Sequence, residues 1–115
     1  PAPAVTQQAA VTPPQPAKNV VRISSALREK VERYLKNSES FGGYYRFLAV
    51  NQAGDKIGMS NCTKQTTWAV DACGGASSPY EGAKRVAIKE CGGPSSCRLI
   101  FEGAKKIGDF EIEWY

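Results

Sequence analysis

The chain has 115 residues, 42% of them hydrophobic, with 15 lysines and arginines against 11 aspartates and glutamates, no histidine, and a net charge of +4 at pH 7. That length fits one domain with an ordinary core, and the lack of histidine removes the usual general base, so Ser-His and Cys-His nucleophilic sites cannot be assembled from this chain alone. The positive charge comes in pairs, Lys84-Arg85 and Lys105-Lys106, with acids interleaved, which reads as a solvated surface and not as a stripe for nucleic acid; no nucleic acid is expected as a partner.

Five of the seven prolines fall in the first sixteen residues and no charge precedes Lys18. Residues 1–20 therefore read as a disordered Pro/Ala/Gln-rich leader, too poor in apolar bulk to offset the entropy of ordering. Residues 21–115 read as a single domain. The opening Pro-Ala-Pro-Ala looks like the tract after a removed signal peptide or a membrane anchor.

The first helix is expected over Ala26 to Asn37. Ser24 or Ser25 caps it, and Leu27, Val31, Tyr34 and Leu35 fall on one face. A hairpin follows: Tyr44 to Val50, a turn over Asn51 to Asp55, and a return from Lys56 to Asn61. The stretch up to Ser78 reads as a loop. Ser78-Pro79-Tyr80-Glu81 marks the next helix with an N-cap, a proline at the first helical position and a capping-box glutamate. Gly92-Gly93-Pro94 ends it. Cys97 to Glu102 is a third strand, and Lys106 to Tyr115 a fourth, in which Phe110, Ile112 and Trp114 alternate with Asp109, Glu111 and Glu113. The order α-β-β-α-β-β predicts an α+β fold: a four-stranded antiparallel sheet with two helices packed on one face.

Cys62, Cys73, Cys91 and Cys97 are an even set with no Cys-x-x-Cys knuckle and no histidine nearby, so two disulfides are expected and no metal or other cofactor. Three pairings are open. The local one, Cys62 with Cys73 and Cys91 with Cys97, closes the long loop and clamps the reversal after the second helix. Disulfides place the protein in an oxidising compartment, periplasmic, secreted or at a bacterial cell surface.

The hairpin ending in Lys56-Ile57-Gly58-Met59-Ser60, the helix Tyr80-x-x-Ala83-x-x-x-Ala87-x-x-x-Cys91 and the following Cys97-Arg98-Leu99-Ile100 together resemble an uncharacterised family of small exported bacterial domains, a domain of unknown function. The resemblance spans about Tyr44 to Phe101. It implies export and a structural Cys91–Cys97 pair, and brings no catalytic residues.

Two surface features carry possible chemistry. Glu111 and Glu113 share one face of the fourth strand, which suffices for a carboxylate pair but is equally the wet side of an amphipathic strand. Tyr44 and Tyr45 are adjacent on a strand and must point to opposite sides, so one of them, beside Arg46, should stand at a rim where it can stack on a sugar, a base or a proline. Trp68, inside the Cys62–Cys73 loop, is the other aromatic expected near a partner. These features favour a non-enzymatic exported binding or accessory module that contacts a protein or an anionic envelope polymer, with the membrane reached only through an N-terminal anchor absent from this chain. An inhibitor or immunity-type protein that blocks another protein's active site is the alternative, and a small carboxylate-dependent enzyme the next.

Overall fold

In the computed structural model, residues 19–40, 42–64, 73 and 79–115 are described. The elements are β1 (Asn19–Ile23), a 3-10 turn (Ser25–Leu27), α1 (Arg28–Ser38), β2 (Tyr44–Tyr45), β3 (Phe47–Asn51), β4 (Ile57–Met59), β5 (Cys62–Thr63), α2 (Pro79–Cys91), β6 (Cys97–Glu102), β7 (Lys105–Lys106) and β8 (Phe110–Trp114). The α+β class, the two helices, the four-stranded antiparallel sheet and both disulfides stand as the sequence predicts.

The sheet has the order β4-β3-β6-β7. β3 and β4 form the predicted hairpin, pairing Leu48 with Met59 and Val50 with Ile57, and the same register resumes beyond a break as β2 on β5, Tyr45 opposite Cys62. The break falls where the buried Ser60 hydroxyl accepts the Phe47 N–H at 3.1 Å, substituting for a ladder bond while Ser60 N–H donates to the Phe47 carbonyl. In β6, Leu48 faces Phe101 and Ala49 faces Leu99, which leaves Ile100 as a bulge. The bulge turns both Ile100 and Phe101 into the same apolar cluster.

α2 runs from Pro79 to Cys91, the limits its proline and glycine signals predict. Its Ala83 and Ala87 are fully buried against Phe47 and Ala49. Small residues here let the helix approach β4 so closely that a Cβ on Gly58 would meet the Ala87 carbonyl and the Cys91 nitrogen. At its end Gly93 N–H donates back to the Ile88 carbonyl at 2.9 Å, closing the last turn.

Three expectations need correction. Asn19 and Val20, assigned to the leader, belong to β1; the rest of the leader lies outside the described residues. The predicted strand over Lys106 to Tyr115 is broken: β7 stays on β6, whereas β8 leaves the sheet and pairs in parallel with β1, Val21 opposite Ile112 and Ile23 opposite Trp114. Gly108, at φ 95°, supplies the left-handed residue this departure needs, and the buried Val21 and Ile23 offer β8 an apolar neighbour. The helices, finally, do not share a face of the sheet. Val31 and Tyr34 of α1 join Leu48, Val50, Ile100 and the β1–β8 pair in one core, while α2 packs with Phe47 and Ala49 in another. Residues alternate sides along a strand, so the two cores lie on opposite faces of β3.

The disulfides are Cys62–Cys73 and Cys91–Cys97, with Cα atoms 5.9 Å and 6.2 Å apart. The first ties the start of β5 to Cys73, and the second ties the end of α2 to the start of β6. Their presence points to an oxidising environment. Among the described residues no helix is long and apolar enough to cross a membrane.

Candidate binding surface at the β2–β5 end

The aromatic segment singled out in the sequence lies where β2 pairs with β5. Tyr44 and Tyr45 take opposite sides, as strand alternation demands, and Tyr44 is the exposed one, at 42%. Tyr45 turns toward α2 and meets Tyr80 edge to face, their ring centroids 5.2 Å apart, while Phe47 meets the same ring at 5.5 Å. Each tyrosine carries a cation: Lys64 Nζ lies 5.2 Å from the Tyr45 centroid and Lys84 Nζ 4.5 Å from that of Tyr80. Tyr80 also donates its hydroxyl to Glu102 Oε1 at 3.3 Å. The outcome is a row of ammonium, ring, ring, ammonium across the junction of β5, β2 and α2.

Arg46 turns the other way, under α1, with its guanidinium carbon 4.8 Å from the Tyr34 centroid. Tyr34 is 2% exposed, and burial pushes its phenol up to about 12 from 10.0, helped by the Glu102 carboxylate and opposed by Ser38, Arg46 and the Gly103 backbone. The phenol is therefore a neutral prop beneath Arg46, not a reactive group. Tyr44, Tyr45, Arg46 and Lys64 line a hollow of about 240 Å³, completed by Ser38, Gly42, Glu102 and Gly103. Two cations face one carboxylate there, and that carboxylate already accepts the Tyr80 hydroxyl.

Tyr44, Tyr45 and Arg46 all line this hollow. Trp68 lies outside the described residues, as does the rest of its loop apart from Cys62, Thr63, Lys64 and Cys73. Lys64, Tyr80 and Lys84 were missed. Tyr80 reads in sequence as one more residue on the buried side of a helix, and Lys84 as half of a solvated basic pair. Lys64 was findable: carrying the hairpin register outward from the Asn51–Asp55 turn places it beside Gly43, whose carbonyl accepts the Lys64 N–H at 2.9 Å. Glu111 and Glu113 stand on the exposed side of β8, Glu113 in an ion pair with Arg22 at 2.9 Å.

Comparison with protein-family models, with curated proteins and with solved structures finds no match for this chain.

Proposed function

We propose that this chain is a non-enzymatic binding module, exported to the periplasm or surface of a bacterium, which holds an anionic envelope polymer or a protein against the surface built from Tyr44, Tyr45, Arg46 and Lys64. The observation that carries this reading is the row of paired tyrosines, each with a lysine ammonium within 5.2 Å of its ring. Rings of this kind give flat apolar area at low entropic cost, and an exposed Tyr44 beside cations suits a sugar bearing carboxylate or phosphate. A cross-linked frame supports the same role, because a surface that is already rigid loses little freedom on binding. The inhibitor alternative depends on the Trp68 loop, and no described residue favours it.

The test is co-sedimentation of the folded, oxidised domain with purified cell-wall sacculi carrying their anionic polymers. Wild type should pellet with them, less so at high salt, and Tyr44→Ala and Lys64→Glu should each lower retention about three- to tenfold, the range set by losing one exposed stacking or charge contact. A parallel affinity capture from envelope extract, repeated with Trp68→Ala, reads the protein arm. Retention indifferent to both surface substitutions and to salt refutes the reading.

A further inference from the structure

The far end of β3 carries a second opening that the reading above does not use. Among the described residues β1 has one partner strand, β8. Its Ile23 carbonyl accepts the Tyr115 N–H at 3.0 Å on the β8 side, whereas Ser24 N–H donates to the Gly54 carbonyl at 2.8 Å on the other. Backbone groups alternate along a strand, so the N–H and C=O of Val20 and Arg22 point away from β8. The Arg22 carbonyl is covered by Gly54, which packs on it too closely to admit a Cβ. Val20, Val21 and Arg22 line one side of a cleft of about 650 Å³. Val20 is 51% exposed. An open edge of this kind pairs readily with another strand, and β1 has no proline and no bulge to prevent it.

The opposite wall of the cleft is polar and basic. It includes Gln52, Ser95, Ser96 and Arg98, and among the described residues no carboxylate lines it. Arg22 is held by Glu113 at 2.9 Å, while Arg98 is exposed and has no ion pair among the described residues. A lone anion would satisfy Arg98 and leave the strand edge bare; an extended peptide with an acidic side chain satisfies both.

We infer that the free edge of β1 accepts an extended acidic segment of a partner protein, which adds a strand beside Val20 and places a carboxylate on Arg98. Backbone bonds to Val20 and Arg22 supply general affinity and the basic wall supplies selectivity. Sequence reading missed this site because it placed Val20 in the leader.

The probe is a displayed library of random decapeptides selected against the oxidised domain, followed by synthesis of the enriched peptides. Enrichment in Asp and Glu among β-branched residues is expected, with about tenfold slower hydrogen exchange at the Val20 and Arg22 amides on binding. Arg98→Glu should weaken binding about five- to tenfold. Val20→Pro should weaken it further while leaving the β8 ladder intact, because the Val20 N–H takes no part in that ladder. Methylating alternate peptide nitrogens should abolish it. The inference is overturned if nothing is enriched, or if enriched peptides bind both variants as well as wild type. Loss of binding on Tyr44→Ala or Lys64→Glu would move the peptide to the other surface and also overturn it. Protection of Val20 that rises with protein concentration in the absence of peptide would make a second copy the occupant.

Discussion

Gly58→Ala tests how the fold is built at its tightest contact. Gly58 lies on β4 where α2 crosses, and an added Cβ meets the Ala87 carbonyl and the Cys91 nitrogen, both backbone atoms that cannot rotate aside. The helix must retreat from the sheet, yet its end is bonded through Cys91 to Cys97 at the start of β6. Overpacking a filled core costs about 1–3 kcal/mol, and backbone neighbours put this site at the upper end. Alanine also restricts the unfolded chain more than glycine does, which offsets about 0.4–1 kcal/mol. The net loss is about 2 kcal/mol, and for a domain near a hundred residues it lowers Tm by about 8–16 °C. Calorimetry of the oxidised protein reads this directly, with Gly43→Ala as control, since no atom lies within 4 Å of a Cβ there. A Tm for Gly58→Ala within about 3 °C of wild type, or a drop matched by the control, would refute the claim that close backbone approach holds α2 on the sheet.

Two further outcomes are expected. Burial raises the Tyr34 phenol from 10.0 to about 12, so the unfolded chain loses this proton first as pH rises; the stability it contributes is complete below pH 10 and falls away between 10 and about 12. Unfolding free energies from urea titrations across that interval should fall about 1–2 kcal/mol further for wild type than for Tyr34→Phe, which lacks the titration, and parallel declines would contradict the assignment. Removing the Cys91–Cys97 bond by the double change to alanine should cost about 2 kcal/mol and about 8–16 °C of Tm, while the native protein should show no alkylatable thiol by mass spectrometry, all four cysteines being paired; reactive thiols, with no Tm difference between the proteins, would contradict both.

The parts of the fold legible in the sequence are those whose signals are local. α2 could be bounded at Pro79 and Cys91 because proline, a capping glutamate and two glycines act within one turn of themselves, and β6 because it is a short apolar run between the glycine-proline stop and the Gly103 turn. β1 was not legible. It is five residues long, it follows a leader with no pattern, and its partner β8 lies at the other end of the chain, where parallel pairing leaves no turn to announce it. The placement of both helices on one face was an error the sequence could have corrected: Phe47-Leu48-Ala49-Val50 is a continuous apolar run, the mark of a strand covered on both sides. For the candidate surface, strand alternation sufficed for Tyr44, Tyr45 and Arg46, but Tyr80 and Lys84 reach it only through the crossing of α2 over β2, which no local pattern encodes.

The double covering of β3 also decides where a partner can bind. Leu48 and Val50 are sealed beneath α1 and β1, and Phe47 and Ala49 beneath α2, so neither face of the central strand is open to contact. Its two ends carry the two openings described above. One end presents the Tyr44–Lys64 hollow, built on a strand that begins at Cys62; the other presents the β1 cleft, whose lining includes Cys97. Each disulfide therefore braces one opening. Burial accounts for part of that arrangement, because Cys62, Cys73 and Cys91 are themselves buried members of the second core. Recognition does benefit from it: short strands such as β2 and β5, two residues each, hold a fixed shape poorly by hydrogen bonds alone, and a cross-link beside them limits the freedom a partner would otherwise have to remove on binding.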